Sequence, residues 1–424
     1  MKTKPDTHTL ASVLQMLRAR APRWLEDSID VHPTETPPAA DLIRVAALAD
    51  ASDVHVAIDD HHGAEVSLRI HGMVSPLLTL DPPQAARLQR QLRVMCGLST
   101  SPTREPEQGH ATIDADDGPE LDIRLSAVPT STGASLAIRL LTTGVTDFTP
   151  RQLGLDADAE AKLRQWFMTT GGLMLIVGPT GCGKTTTLYT LLRHCVPDHA
   201  RVLTIEQPVE ANLDQILQIP AGEDEHNMDI VDLIPHALRQ DPDVMAIGEI
   251  LDAHTARAAV KASLAGHGVL ATAHAPSAPG AITWLRHCGV HDYEISETLT
   301  TVVAQRLLRT LCPNCKRSTP ITDEQRRLFE SARLEAPQTL TTPAGCDQCS
   351  GTGFVGRTGV FDVWTPAHHD LSKIRQGADH SELDQSEGGL FRQGLLLASR
   401  GEASIDDVVR FCPKTGVAPS PTSP

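Results

Sequence analysis

The chain has 424 residues, of which 40% are hydrophobic and 21% charged, and its formal net charge is −16. This length suits two or three domains with large buried cores. The negative charge argues against a nucleic acid as the main partner, because binding a phosphate backbone requires concentrated lysine and arginine. No apolar run approaches the roughly 18 residues that cross a bilayer, and no signal peptide begins the chain, so we expect a cytosolic or peripheral protein.

The first 143 residues divide into an arm and a predicted α/β domain. Residues 1–38 contain an amphipathic pattern and a proline-rich linker, and this arm either docks on a partner or packs on the body of the protein. The predicted domain at residues 39–143 has helices at 40–48 and 83–96, and strands at 53–58, 65–71, 121–126 and 135–141. Residues 142–150 are a predicted hinge.

A phosphate-binding loop is predicted at residues 178–185, where the chain reads Gly-x4-Gly-Lys-Thr. Its glycines let backbone N–H groups face phosphate oxygens, Lys184 reaches the β- and γ-phosphates, and the Thr185 hydroxyl binds Mg²⁺. A chance match in a glycine-bearing turn is the alternative, and the predicted strand at 173–177 and helix at 184–193 argue against it. The candidate ATP contacts are Gly178, Pro179, Thr180, Gly181, Cys182, Gly183, Lys184, Thr185 and Thr186.

Three later predicted strands lead to polar side chains. The strand–helix–strand pattern over residues 149–311 predicts a parallel sheet, in which the carboxyl ends of the strands at 202–206, 244–249 and 268–273 meet at one edge. We therefore expect Glu206, Glu249 and His274 near the γ-phosphate, with Glu249 as the main catalytic carboxylate, Glu206 as a helper and His274 as a γ-phosphate sensor. Taken singly, each acid is more typical of a helix cap, but two such acids in one sheet with a phosphate loop favour the site, and a lone histidine is more often structural.

Two Cys-x2-Cys pairs predict a metal site. Four thiolates on two knuckles are the ligand set that structural Zn²⁺ prefers, and neighbouring glycines at positions 345, 351 and 353 supply tight turns. The alternative is a loop of free thiols that has lost its metal. The four predicted ligands are Cys312, Cys315, Cys346 and Cys349.

The rest of the chain follows these pairs. Residues 312–349 form the predicted zinc-binding subdomain, and residues 350–411 form a predicted C-terminal helical part. The tail at 412–424 is rich in proline, serine and threonine and is predicted to be disordered.

Four motifs in a fixed order resemble the Walker A, Asp box, Walker B and His box of the secretion ATPases that drive type II secretion and type IV pilus assembly (the GspE/PilB kind). These motifs are the phosphate loop and residues 204–210, 238–250 and 271–274. Further similarity, to the family's second N-terminal domain and to the borders of its tetracysteine subdomain, is found at residues 51–56, 69–72, 305–315 and 356–360. The resemblance covers roughly residues 40–411.

The resemblance implies an α/β fold: a RecA-like P-loop NTPase core, an N-terminal α/β (PAS-like) domain and a tetracysteine zinc subdomain. It implies a cytoplasmic homo-hexamer that hydrolyses Mg·ATP and drives an inner-membrane platform protein from the inner face of the bacterial inner membrane. No nucleic acid partner is expected. The family also carries two arginines that contact the nucleotide, in segments that match Arg124 and Arg139. The alternative is two surface arginines paired with acids such as Asp122.

Several positions depart from the family's pattern. Gln207 replaces an aspartate of the Asp box, Leu251 replaces an arginine after Walker B, and Ala275-Pro276 replaces Thr-Asn. Cys182 replaces a serine, and its thiol either has a lowered pKa beside Lys184 or merely fills the place of a small residue. Two rival functions stay open: a module that binds ATP with weak hydrolysis, and a nucleic-acid translocase with a similar core.

Overall fold

A computed structural model of the chain describes residues 39–49, 51–100, 104–113, 121–142, 148–169, 171–222, 228–349, 351–379, 382–383 and 389–412. The chain divides into two compact units, Met1–Val145 and Thr146–Pro424. The predicted arm, the middle of the predicted hinge and all but the first residue of the predicted tail lie outside the described residues.

The first unit contains a six-stranded antiparallel sheet with the order β3-β2-β1-β6-β5-β4. Alternate side chains of its strands are buried with the apolar sides of two helices in one core. The elements in chain order are α1 (Ala39–Leu48), β1 (Ala51–Asp59), β2 (Gly63–Ile70), β3 (Met73–Leu80), α2 (Pro82–Met95), β4 (Glu107–Ile113), β5 (Leu121–Pro129) and β6 (Gly133–Thr142).

Two of these strands, β3 and β4, are absent from the sequence prediction. Both are edge strands of the sheet. An edge strand tolerates proline and polar residues, because one side of its backbone has no neighbouring strand to bond. Pro76 in β3 and the polar residues at the start of β4 therefore do not indicate strands in the sequence. Pairing with the neighbouring strands of the sheet forms both of them.

The second unit contains a seven-stranded sheet with the order β15-β12-β7-β11-β10-β8-β9. Its strands run parallel except for β15, which pairs antiparallel with β12. The elements up to β12 are α3 (Pro150–Leu153), α4 (Ala157–Met168), β7 (Gly172–Val177), α5 (Lys184–His194), β8 (Val202–Glu206), β9 (Leu217–Pro220), α6 (Ile230–Leu238), β10 (Val244–Ile250), α7 (Ala253–Leu264), β11 (Gly268–Ala273), α8 (Gly280–His287), α9 (Asp292–Thr298) and β12 (Leu299–Leu311). The predicted parallel sheet is confirmed.

A small insertion interrupts the chain between the paired strands β12 and β15. It contains a two-stranded antiparallel sheet, one helix and a short 3₁₀ turn that carries a cysteine. The remaining elements are β13 (Arg317–Pro320), α10 (Asp323–Ser331), β14 (Thr339–Thr342), the 3₁₀ turn (Asp347–Cys349), β15 (Phe354–Trp364), α11 (His368–Arg375), α12 (Gly389–Ser399) and α13 (Ile405–Phe411).

The predicted helical part at 350–411 begins with a strand, which corrects that prediction. Residues 354–364 form β15, in register with β12 from Phe354 opposite Leu311 to Trp364 opposite Val302. The valines and aromatic residues of this segment suit a strand, and a long-range partner decides the conformation. Three helices then follow as expected. None of the helices in the described ranges is long and apolar enough to cross a membrane.

Candidate functional site

The phosphate loop connects the end of β7 to the start of α5, as the sequence predicts. Gly181 has φ +75° and Gly183 has φ +88°, in the left-handed region that favours glycine. A Cβ on Gly178 would lie only 2.6 Å from both the Cys182 sulfur and the Gln305 carbonyl oxygen. The loop is therefore closely packed against its own far side and against β12.

Lys184, Glu249 and His274 form one chain of polar contacts beside this loop. The Lys184 Nζ lies 3.3 Å from Glu249 Oε1, and the His274 Nε2 lies 2.9 Å from the same oxygen. The ammonium group also donates to the carbonyl oxygens of Gly178 and Pro179, at 3.2 and 3.4 Å. Lys184 is buried, and Glu249 is about one third exposed, so the three predicted site residues meet where the loop opens to solvent.

An irregular sheet register places Glu249 at this point. Between the paired positions Ile247 and Ile250, strand β10 has one residue more than its partner β11. This is the two-against-one arrangement of a β-bulge, which redirects a side chain at the end of a strand. The Thr272 hydroxyl donates to the Gly248 carbonyl oxygen at 2.6 Å and ties the bulge to β11.

Glu206 lies in a different polar network. Glu206 is 2% exposed, and its carboxylate accepts hydrogen bonds from Thr204 Oγ1 at 2.5 Å, Gln218 Nε2 at 3.0 Å and the Tyr189 hydroxyl. Burial raises the pKa of Tyr189, and the bond and charge of Glu206 add to this, so the phenol keeps its proton and donates. Within the described part of the chain, no hydrogen bond or ion pair joins Glu206 to the Lys184–Glu249–His274 contacts.

The Tyr189 hydroxyl also accepts a hydrogen bond from the backbone N–H of Glu210 at 3.2 Å. Glu206 and Tyr189 thereby connect α5, which follows the phosphate loop, to the segment that follows β8. Tyr189 is not among the site residues predicted from the sequence, because its partner Glu206 is 17 residues away in the chain and the folding of the sheet brings the two together.

Cys182 is buried, with 4% of its surface exposed. Burial raises the pKa of its thiol, and the charges of Lys184 and Arg306 offset only part of that effect. Of the two alternatives left open for Cys182, this direction argues against a lowered pKa and favours a small residue that fills the usual serine position.

Arg124 and Arg139 belong to a row of side chains across the exposed face of the first unit's sheet. In register, Arg69 of β2 faces Asp53 of β1, Asp53 faces Arg139 of β6, Arg139 faces Arg124 of β5, and Arg124 faces His110 of β4. Asp53 lies 3.6 Å from the Arg69 guanidinium and 3.5 Å from that of Arg139. In the described residues, no carboxylate lies within 4.0 Å of the Arg124 guanidinium, so a like-charged pair faces solvent.

The four predicted metal ligands converge, with their sulfur atoms all within 4.8 Å of one another. The sulfurs are 3.9 Å apart for Cys312 and Cys346, and 3.7 Å apart both for Cys315 and Cys349 and for Cys346 and Cys349. A tetrahedron with Zn–S bonds of about 2.3 Å has edges of about 3.8 Å, so these residues fit a four-sulfur zinc site.

Hydrogen-bond donors surround the cysteine cluster. The backbone N–H groups of Gly345 and Gly353 donate to Cys315 and Cys349 sulfurs at 3.2 and 3.1 Å, and both glycines have positive φ. A bond from the Asn314 amide, with backbone N–H groups, lowers the pKa of Cys346 to about 6. Burial raises the pKa of Cys315 to about 11, and the bond from the Gly345 N–H offsets only part of this effect. Donors aimed at sulfur stabilise thiolates, the form that binds a metal.

The chain matches the family described as Type II/IV secretion system protein over residues 34–410. It is 34% identical over 378 residues to the putative type II secretion system protein E of Escherichia coli strain K12, covering 88% of this chain and 76% of that protein. It is 32% identical over 389 residues to the type IV pilus assembly ATPase TfpB of Acinetobacter baylyi, covering 88% of this chain and 65% of that protein.

A solved structure has the same fold. The ATPase DotB of Legionella pneumophila matches with a TM-score of 0.64 at 16% identity, over 89% of this chain and 96% of that one. The predicted RecA-like P-loop core with a tetracysteine cluster is thus confirmed. Since the family match spans most of the described residues of both units, the chain belongs to the type II/IV secretion system protein family, and its relative from Acinetobacter baylyi is an ATPase.

Proposed function

We propose that this protein is a cytoplasmic, hexameric motor ATPase that hydrolyses Mg·ATP to power type IV pilus assembly or type II protein secretion at the bacterial inner membrane. The contact chain from Lys184 through Glu249 to His274 carries this proposal, because it joins a phosphate-binding cation to a partly exposed carboxylate and a histidine. The relatives named for type II secretion and pilus assembly support the choice of machine. An inner-membrane platform protein is the proposed partner.

Each residue of the site has a proposed task. Lys184 would exchange its contacts with the loop carbonyls and Glu249 for the β- and γ-phosphates, and Thr185 would ligate Mg²⁺, which neutralises phosphate charge when bound. Glu249, released from Lys184, would hold and deprotonate the attacking water. His274, next to Glu249, would contact the γ-phosphate.

We propose that Glu206 remains a helper in hydrolysis and that it acts by positioning other elements of the site. Its buried carboxylate accepts hydrogen bonds from Tyr189, Thr204 and Gln218, so it would have to leave these partners to touch water at the γ-phosphate. In this position Glu206 would align α5 with the segment after β8. This alignment would set the direction from which water approaches.

Steady-state turnover tests the proposal. Wild-type protein should release phosphate from Mg·ATP, and Lys184→Ala should weaken ATP binding by roughly 10- to 100-fold, since it removes a charged partner of the phosphates. Lys162→Ala, which removes an exposed lysine paired with Asp158 on α4, is the matched control and should leave binding unchanged. Tight ATP binding by the wild type without measurable turnover would instead support a binding-only module.

We propose a structural Zn²⁺ held by Cys312, Cys315, Cys346 and Cys349. Protein purified without chelator should contain about one zinc per chain, because four thiolates complete one tetrahedral shell. Cys346→Ser should lose the metal and lower the thermal unfolding midpoint, whereas Cys195→Ala, at a buried cysteine outside the cluster, should retain the zinc. Elemental analysis that finds no metal in wild-type protein would refute the site.

A further inference from the structure

One buried amide holds the far side of the phosphate loop. Gln305 is 2% exposed and lies on β12, one residue beyond the position where Ala304 pairs with Val177, the last residue of β7. Its Nε2 donates to the carbonyl oxygen of Cys182 at 2.8 Å, and its Oε1 accepts from the Thr187 hydroxyl at 2.8 Å. The side chain thus connects the loop to the first turn of α5.

The partners specify the orientation of this amide. A carbonyl oxygen only accepts, so the NH₂ group of Gln305 must face Cys182, and the oxygen is then directed at the Thr187 hydroxyl. In a trans peptide unit the C=O and N–H groups point in opposite directions, so the Gly183 N–H points away from Gln305 and can face a phosphate oxygen.

The next residue, Arg306, connects the same strand to the segment after His274. Arg306 is 9% exposed, and its guanidinium donates from Nη1 to the Gln305 carbonyl oxygen and from Nη2 to the Pro276 carbonyl oxygen, both at 2.7 Å. No carboxylate lies within 4.0 Å of it in the part of the chain that the structure describes. A buried arginine with only main-chain acceptors is costly, and burial lowers the pKa of Arg306 accordingly.

We propose that Gln305 and Arg306 are positioning residues for ATP hydrolysis: Gln305 shapes the phosphate loop for binding, and Arg306 holds the His274 segment for turnover. Consecutive residues of a strand point to opposite faces. Gln305 therefore contacts the phosphate loop, and Arg306 contacts the segment after His274. This inference rests on the proposed ATPase function for its kinetic part. It assigns the two residues separable effects, which a general loss of stability would not produce.

Gln305→Met tests the first half, because methionine keeps the length and most of the volume while removing both hydrogen bonds. The dissociation constant for a fluorescent ATP analogue should rise about tenfold, the scale of one to two lost buried bonds. Thr301→Val, a buried site on the same strand, is the control and should bind normally. If Gln305→Met does not fold, Thr187→Val removes one of the two bonds and should weaken binding in the same direction.

Arg306→Met tests the second half. It should lower kcat by about 10²-fold, the cost of a group displaced by about 1 Å, with ATP affinity changed less than about threefold. Arg306→Lys keeps the charge and a hydrogen-bond donor group and should recover part of kcat. The control is Arg286→Met, because Arg286 also donates to main-chain carbonyls, of Ala378 and Ile374, and to the Asp292 carboxylate, all outside the site. Arg286→Met should lower the stability of the protein without the loss of kcat expected for Arg306→Met.

Amide hydrogen exchange separates this inference from the proposed function, because it requires no hydrolysis. Exchange should rise selectively at residues 179–187 in Gln305→Met and at residues 274–278 in Arg306→Met. A uniform increase in exchange throughout the second unit would overturn the inference. A parallel fall of ATP affinity, kcat and the unfolding midpoint in all variants would overturn it as well. Failure of wild-type protein to hydrolyse ATP would count against the ATPase proposal, while the binding and exchange results would still decide the roles of both residues.

Discussion

Replacing Glu249 with glutamine should lower the turnover number for ATP by about 10²–10⁴-fold and change the dissociation constant for ATP by no more than about threefold. Glutamine keeps the size of the side chain and can still accept a bond from His274, but it does not take a proton from water. It also frees Lys184 from an ion pair at 3.3 Å, so the cation needed for phosphate binding stays in place. Phosphate release and equilibrium binding of an ATP analogue measure the two quantities.

Asp252→Asn is the matched control for Glu249→Gln. Asp252 lies three residues further along the chain and caps α7 through bonds from the backbone N–H groups of His254 and Thr255. Asparagine caps helices as well as aspartate does, so this variant removes a nearby charge without disturbing the helix and should turn over normally. Near-normal hydrolysis by Glu249→Gln, or an equal loss in Asp252→Asn, would rule out Glu249 as the specific base.

Replacing Arg124 or Arg139 with alanine should lower kcat by about 10³–10⁵-fold while folding and oligomer size are unchanged, if these side chains reach ATP as the motor closes. The like-charged arginines lie directly opposite each other on an exposed sheet face, which destabilises the unit by itself and favours an anion as partner. A guanidinium that arrives only on domain closure would couple hydrolysis to motion. Turnover, ATP binding and size-exclusion chromatography are measured on each variant.

Arg69→Ala offers a close control, since Arg69 lies in the same row and shares Asp53 with Arg139. It removes a half-buried arginine and an ion pair worth under about 1 kcal/mol, and kcat should be retained. A drop in turnover for Arg69→Ala as large as for Arg124→Ala would mean that the whole sheet face, and not two particular arginines, affects the rate. Normal turnover in Arg124→Ala and Arg139→Ala would make them surface residues.

Local sequence identified the parts of this protein that depend on near neighbours in the chain. The phosphate loop needs glycines at fixed spacing, and the left-handed Gly181 and Gly183 lie where the pattern requires them. The two cysteines of each pair are three residues apart, and the geometry of each knuckle follows from that spacing and from glycine turns. Apolar runs marked the buried parallel strands, because a strand covered on both faces has no polar alternation to obscure it.

Tertiary structure alone decided the features that depend on strand order. Glu206 and Glu249 both end strands at one edge of the sheet, yet a bulge in β10 turns Glu249 to Lys184, while buried donors hold Glu206 in another network. The side-chain hydrogen bond that holds the phosphate loop comes from Gln305, more than a hundred residues further along the chain, because β12 pairs with β7. Such pairings are chosen by the burial of whole faces, which no local pattern of residues encodes.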